Sequence, residues 1–259
     1  MDVALFDRSV RQTRLTGAGQ VLLGEARRVL STVDHAIQAT KGAAQGYQSI
    51  LRIAICSSLA QPRIVSLLAR SREEEPELGI RIFELPFSQQ LNGLHNDLLD
   101  IGFALSDAVN NGLVAEPAWS DPVSVILPAR HPLLAHPQVK LEDALKFPLV
   151  LCHPDASSGH DQIQVLIDAA AARPKVADHV TSLGVMLTLV GAGYGIGFAI
   201  GSQVQTWQRT DIAMRPLAGT KPTLAAYLLR RQGEPSEPMK RFMQRAREVF
   251  QPSGVEPVP

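Results

Sequence analysis

The run Ile50–Leu105, ILRIAICSSLAQPRIVSLLARSREEEPELGIRIFELPFSQQLNGLHNDLLDIGFAL, decides the fold. Ile50 to Ile55 is rich in isoleucine, which suits a strand buried on both faces of a parallel sheet. Cys56-Ser57-Ser58 turns the chain into a helix expected from about Gln61 to Glu75, with Pro62 in the first turn, where its missing amide costs nothing. Pro76 stops that helix. Ile80 to Leu85 alternates as a strand, Ser88 is placed to cap a helix over Gln89 to Leu98, and Asp100 to Leu105 is a further strand. Strand, helix, strand, helix, strand in this order demands right-handed crossovers and a parallel sheet, with ligands expected beyond the carboxyl ends of the strands. The loops to watch are therefore Cys56 to Leu59, Pro86 to Ser88 and Ser106 to Ala108.

Upstream, Thr16 to Gln45 reads as one long helix. Its apolar positions Leu22, Ala26, Val29, Val33, Ile37 and Thr40 are spaced close to a coiled-coil seam. Thr16 is placed to cap its start, and Gly42 and Gly46 supply the stop. Thirty residues at about 1.5 Å each make a rod of roughly 45 Å, and a narrow apolar stripe on such a rod needs a partner helix. Before it, Val3 to Phe6 and Val10 to Leu15 read as two short extended pieces, a hairpin too small to fold alone.

Downstream, Glu116 to Ser120 interrupts the pattern and Val123 to Leu127 begins a new strand, so an interlobe crossing is expected here. A second lobe then repeats the logic. Leu141 to Leu145 reads as helix, Leu149 to Cys152 as strand, Ile163 to Ala172 as helix and Lys175 to Val180 as strand. Ser182 is placed to cap Leu183 to Val190, and Gly195 to Ile200 is a strand. Met214 to Pro216 is expected as the return crossing, Leu224 to Leu229 as a strand rejoining the first sheet, and Met239 to Phe250 as a closing helix. The expected fold is α/β. Segment 1–15 is a small hairpin, 16–46 a long helix, 47–120 with 217–250 one lobe, 121–216 the other, and 251–259 a loose tail.

Twenty-five basic residues balance 25 acidic ones in a chain of 259, so no global positive field draws nucleic acid, and any such contact must be local. The chain is 45% hydrophobic and 19% charged, an ordinary globular composition. Cys56 and Cys152 stand far apart with no metal spacing, which suggests neither a disulfide framework nor zinc and fits a reducing cytoplasm. Val3 to Phe6 is too short for a signal peptide, so export is not expected. The uncharged stretch Val180 to Gln208 carries too many glycines and polar residues for a membrane span, and reads as a buried helix, a glycine turn and a buried strand.

No catalytic set emerges. Gly191 to Gly197 has the wrong spacing for a dinucleotide fingerprint, because Ile196 stands where the third glycine belongs. No phosphate-binding lysine loop and no nucleophile-elbow serine occur. No enzyme activity, metal or cofactor is expected. What the lobes offer is hydroxyls at helix starts. Ser57, Ser58, Ser88 and Ser182 each precede an expected helix, where backbone amides and the positive dipole end suit a small organic anion. Singly, such serines are ordinary caps, and it is four of them aimed at one cleft that would matter.

The chain also resembles the LysR-type transcriptional regulators. Leu5-Phe6-Asp7-Arg8 followed by Arg14-Leu15-Thr16-Gly17-Ala18-Gly19 is similar to the family's wing and the start of its linker helix. Leu51-Arg52-Ile53, Leu99-Asp100-Ile101-Gly102-Phe103, His131-Pro132-Leu133 and Leu189 to Ile196 match further motifs in order. The resemblance implies a winged helix-turn-helix, a dimerising linker helix, and a two-lobed effector domain like the type II periplasmic binding proteins. It implies that Ser57, Ser58, Ser88, Ser106 and Phe198 touch the effector, and that the chain forms dimers or tetramers. Because the sequence starts just before the wing, most of the helix-turn-helix is expected to be missing. Arg8, Arg11 and Arg14 would then touch DNA backbone without specifying a sequence. The competing class is a free-standing cytoplasmic solute-binding protein with the same two lobes.

Overall fold

The computed structural model describes residues 3–7, 13–44, 46–56, 59, 62–154, 158–170, 173–201, 204, 208–219 and 222–250. Strands β1 (Phe6–Asp7) and β2 (Arg14–Leu15) form a small antiparallel hairpin, followed by helix α1 (Gly17–Ala44). Thr16 caps α1 as its sequence demands: the Gly19 amide donates to its Oγ1 at 3.0 Å, and that hydroxyl donates to the Ala4 carbonyl at 2.7 Å. Gly19 is pressed against the hairpin, where a Cβ would lie 2.0 Å from the Leu5 carbonyl oxygen. At the far end, Gly46 takes a φ of +86°, the left-handed conformation that ends helices, and the Tyr47 amide donates back to Gly42.

The first lobe is built on β3 (Ser49–Ile55), β4 (Leu78–Glu84) and β5 (Ile101–Ala104), all parallel, with β3 central. Alternation along β3 sends Leu51, Ile53 and Ile55 into one hydrophobic cluster with Ile64 and Leu67 of α2 (Pro62–Glu74) and Phe242 of the closing helix α7 (Glu237–Phe250). Ala54 faces the other side and meets Leu94 and Leu99, at and beyond α3 (Phe87–His95). The helix order and the parallel pairing match the sequence reading. The doubly covered strands are the near-continuous apolar runs that such a sheet requires.

Strand β6 (Leu113–Pro128) joins the lobes, and here the sequence expectation fails. Glu116 to Ser120 does not interrupt the chain: it lies within one strand of 16 residues. Its first half pairs antiparallel with β11 (Thr223–Arg231), and its second half pairs with β9 (Gly197–Ile200) and β10 (Ile212–Pro216). Pro117 is tolerated because the pairing shifts register there, between Ala226 and Tyr227 on β11, and a proline is accepted at such an irregularity. A second correction concerns Met214 to Pro216, expected as a crossing. These residues end β10, paired to Val125 and Ser124, and the chain returns to the first lobe after them.

The second lobe adds the short helix α4 (Leu141–Ala144), the parallel pair β7 (Leu149–Cys152) and β8 (Val176–Val180), α5 (His160–Ala169) and α6 (Leu183–Gly191). Gly195 packs against backbone, a Cβ there falling 2.5 Å from the Pro148 carbonyl oxygen. The glycine turn is therefore a close backbone approach rather than a nucleotide loop. Among the described residues no helix is long and apolar enough to cross a membrane.

Candidate functional site: the interlobe crevice

The parallel strands of the first lobe end at Ile55 and Ala104, and the residues just beyond them meet the second lobe. Leu105, the first residue after β5, has its peptide fastened by two side chains from across the crevice. Its amide donates to Ser158 Oγ at 2.8 Å, and its carbonyl accepts from Gln162 Nε2 at 2.7 Å. The Ser158 hydroxyl also points to Cys56 Sγ, 3.4 Å away beyond the end of β3. Gln162 then spans to β11, donating to the Ala225 carbonyl at 2.9 Å and accepting from the Ala225 amide at 2.8 Å. One glutamine thus stands in for a neighbouring strand at two backbone positions. Both side chains come from the turn and first helical turns of α5. In that helix His160 Nδ1 lies 2.8 Å from the Cys152 carbonyl oxygen.

The sequence-expected site residues divide. Ser106 directly follows the clasped Leu105 and is half-buried, its Oγ accepting from the Ala108 amide at 3.3 Å. Phe198 lies on β9 opposite Val125, buried in the same hydrophobic cluster as Leu105. Ser182 caps α6, accepting from the Val185 amide at 3.3 Å. Ser88 is not a cap: Pro86 holds that position without a side-chain bond, and Ser88 is exposed within the first turn of α3. The helix begins two residues earlier because Pro86 fixes an extended φ ahead of it and its carbonyl accepts from the Gln89 and Gln90 amides. Among the described residues no hydrogen bond ties Ser88 or Ser182 to the Leu105 clasp. Ser57 and Ser58 lie outside the described residues. Sequence reading missed Ser158 and Gln162, which are polar residues at no motif position.

Other chemistry-bearing groups serve the architecture. Asp100 accepts from the Arg52 amide at 2.8 Å, from Nε at 3.1 Å and from a terminal guanidinium nitrogen at 2.8 Å, so it ties β5 to β3. His131 accepts from the Leu133 amide and meets the edge of Phe147, and burial pushes its pKa down. Burial pushes the Cys152 thiol up to about 11, which holds it protonated. Among the described residues no group of His, Cys, Asp or Glu is placed to hold a metal ion.

At the amino-terminal end, Arg14 is exposed on β2 opposite Asp7, while Arg8 and Arg11 lie outside the described residues. Along α1, Leu22 is half-buried and Ala26 is exposed. Val29, Val33 and Ile37 are 64%, 50% and 44% exposed, so the seam is uncovered in the single chain.

Comparison with known proteins places these features in a family. The family model described as the LysR substrate binding domain matches residues 44–251. The HTH-type transcriptional regulator AlsR of Bacillus subtilis (strain 168) is 28% identical over 217 residues, which is 83% of this chain and 71% of that one. The crystal structure of CbnR, a LysR family transcriptional regulator, superposes with a TM-score of 0.77 at 20% identity, covering 92% of this chain and 83% of that one. The BenM effector binding domain with its effector benzoate gives a TM-score of 0.71 at 20% identity over 79% and 93% of the two chains. The relatives named are regulators, not enzymes.

Proposed function

This chain belongs to the LysR family of transcriptional regulators, and from that premise we propose that it senses a small organic anion in the crevice between its lobes and pairs with a second copy through α1. The observation that carries the reading is the clasp on Leu105. Cys56 and Ser106 follow the carboxyl ends of β3 and β5, where an open parallel sheet receives ligands, and side chains of the opposite lobe reach the same spot. Ser106, Phe198 and, outside the described residues, Ser57 and Ser58 are the effector contacts in this proposal, with Ser182 and Ser88 at its margins. The similarity to the benzoate-bound BenM domain supports an aromatic acid as the class to try first.

Pairing is supported by the uncovered seam. Val29 and Val33 are more than half or half exposed on a helix of 28 residues, an arrangement that a partner helix would bury. A free-standing solute-binding protein has no use for such a helix and is not favoured. Dimers, or dimers of dimers, are the expected assembly, and DNA is the partner expected of a regulator of this family.

The test is a thermal-shift screen of the full chain against small aromatic and aliphatic acids. A ligand at 100 times its Kd stabilises by about 2.7 kcal/mol. Ser106→Leu should abolish the shift while leaving the circular dichroism spectrum intact. In sizing experiments the double variant Val29→Glu with Val33→Glu should run as a monomer where the parent runs as a dimer. A parent that stays monomeric at high concentration, or a Ser106→Leu chain that keeps the full ligand shift, defeats the respective half of the proposal.

A further inference from the structure

A cavity lies on the α3 side of the first lobe, away from the Leu105 clasp. It encloses about 560 Å³ between Arg27 of α1, Arg81 and Phe83 of β4, and Leu98 and Leu99 after α3. That volume is in the range that holds a small organic ligand. The charge arrangement here is unusual. Arg52 and Arg81 are register partners on the parallel strands β3 and β4, so two guanidinium groups start side by side on one sheet face. Like charges directly opposite each other destabilise a sheet unless something answers them. Asp100 answers Arg52, with two of its guanidinium nitrogens on the carboxylate, and the Asp97 carboxylate is engaged by Arg231. Among the described residues neither Arg81 nor Arg27 has an ion pair or a side-chain hydrogen bond. The groove is therefore left with two unanswered cations above an apolar floor. Phe83 and Leu98 are each 40% exposed in it, large apolar side chains left facing solvent.

We propose that this groove binds an amphipathic carboxylate, its acid group held between Arg81 and Arg27 and its hydrocarbon body laid on Phe83, Leu98 and Leu99. A guanidinium presents two parallel donors to a carboxylate, and two such groups fix its position as well as its charge. Since Arg27 belongs to α1 and Arg81 to the first lobe, the bound anion braces the linker helix against that lobe. The site is independent of the crevice reading: no residue of the Leu105 clasp lines it.

The experiment uses sodium octanoate as probe and 1-octanol as its uncharged control, titrated calorimetrically into the full chain carrying Ser106→Leu, so that the crevice does not report. Octanoate should bind one per chain, and octanol should bind at least about tenfold more weakly, the difference that a charge-assisted contact worth 1.4 kcal/mol makes. Arg81→Met, which keeps the length and loses the charge, should weaken octanoate by about tenfold or more. Arg27→Met on the exposed helix should do the same without touching the sheet, and Arg81→Lys should recover part of the loss. Amide exchange in α1 should slow when octanoate is bound. The proposal is overturned if octanoate does not bind at millimolar concentration, or if octanol binds equally, which would make the groove plain apolar surface. Equal binding by both methionine variants overturns it too. So does octanoate binding that disappears as protein concentration rises, because a second copy of the chain would then be the occupant.

Discussion

Replacing Gln162 by leucine removes a polar link of three hydrogen bonds between the lobes. The wild-type side chain makes three hydrogen bonds, at 2.7 Å to the Leu105 carbonyl, 2.9 Å to the Ala225 carbonyl and 2.8 Å from the Ala225 amide. A single internal hydrogen bond contributes about 0.5–1.5 kcal/mol net, and a partner left unsatisfied in a part-buried site costs toward the upper end. Leucine is close in size, so little of the loss arises from a cavity. The expected destabilisation is about 2–4 kcal/mol, read from urea midpoints at unchanged slope. Ser158→Ala removes the bond to the Leu105 amide, and because both residues hold the same peptide, the double variant should lose less than the sum by about 0.5 kcal/mol or more. Gln164→Leu is the control. It sits on the same helix and, among the described residues, its side chain bonds only to exposed Asp168, so its effect should stay within about 0.5 kcal/mol. A Gln162→Leu loss no larger than that of Gln164→Leu, or strict additivity with Ser158→Ala, refutes the view that α5 fastens the lobes through Leu105.

Two further perturbations test how each lobe is held together. Glu75 is buried at the end of α2 with Arg241 and Arg245 of α7 bonded to it, and these arginines hold its carboxyl below the usual carboxylate range. A depressed carboxylate pKa stabilises the fold above the unfolded value near 4.3 and loses that contribution as pH falls through the lower folded value. Glu75→Gln should therefore lower stability at neutral pH and flatten the acid limb of a midpoint-against-pH curve, and an unchanged acid limb would show the pair to be inert. Gly195→Ala places a methyl 2.5 Å from the Pro148 carbonyl oxygen, a clash with backbone that cannot turn aside. Thermal unfolding should report a loss of about 1–3 kcal/mol, and a neutral result would mean that β9 can shift away from β7.

Much of this architecture was legible because each signal was local. The isoleucine run at Ile50–Ile55, the proline at the first turn of α2 and the alternation toward Leu85 act within a few residues, and these three elements fell within a turn of their expected places. What escaped depended on tertiary partners. Pro117 reads as a breaker until β11 is known to shift register beside it. Ser88 reads as a cap until Pro86 is seen to occupy the position. Gln162 carried no signal at all, since an amide that replaces a strand at Ala225 is indistinguishable in sequence from any glutamine on a helix face. The groove beside Arg81 was equally hidden. Arg52 and Arg81 are far apart in the chain, and only the register of β3 against β4 makes them neighbours.

The ends of β3 put the two proposed functions on one element. At its amino end the strand is bolted to the linker helix. A Cβ at Gly42 would fall 2.6 Å from the Ile50 side chain, Tyr47 packs over Gly79, and the Gln48 amide donates to the Glu77 carbonyl at 2.9 Å. At its carboxyl end lies Cys56, beside Ser158 of the opposite lobe. Seven residues of strand span about 23 Å, and a central strand paired on both sides does not bend easily. If crevice occupancy is relayed to α1, a rigid β3 cannot relay it by stretching; it can only turn with its lobe as the lobes rotate about the two crossings. In the proposed reading the relayed quantity is the angle between lobes, which the clasp on Leu105, just beyond β5, holds. Weakening the clasp should consequently change the angle at which α1 leaves the domain even with no ligand bound.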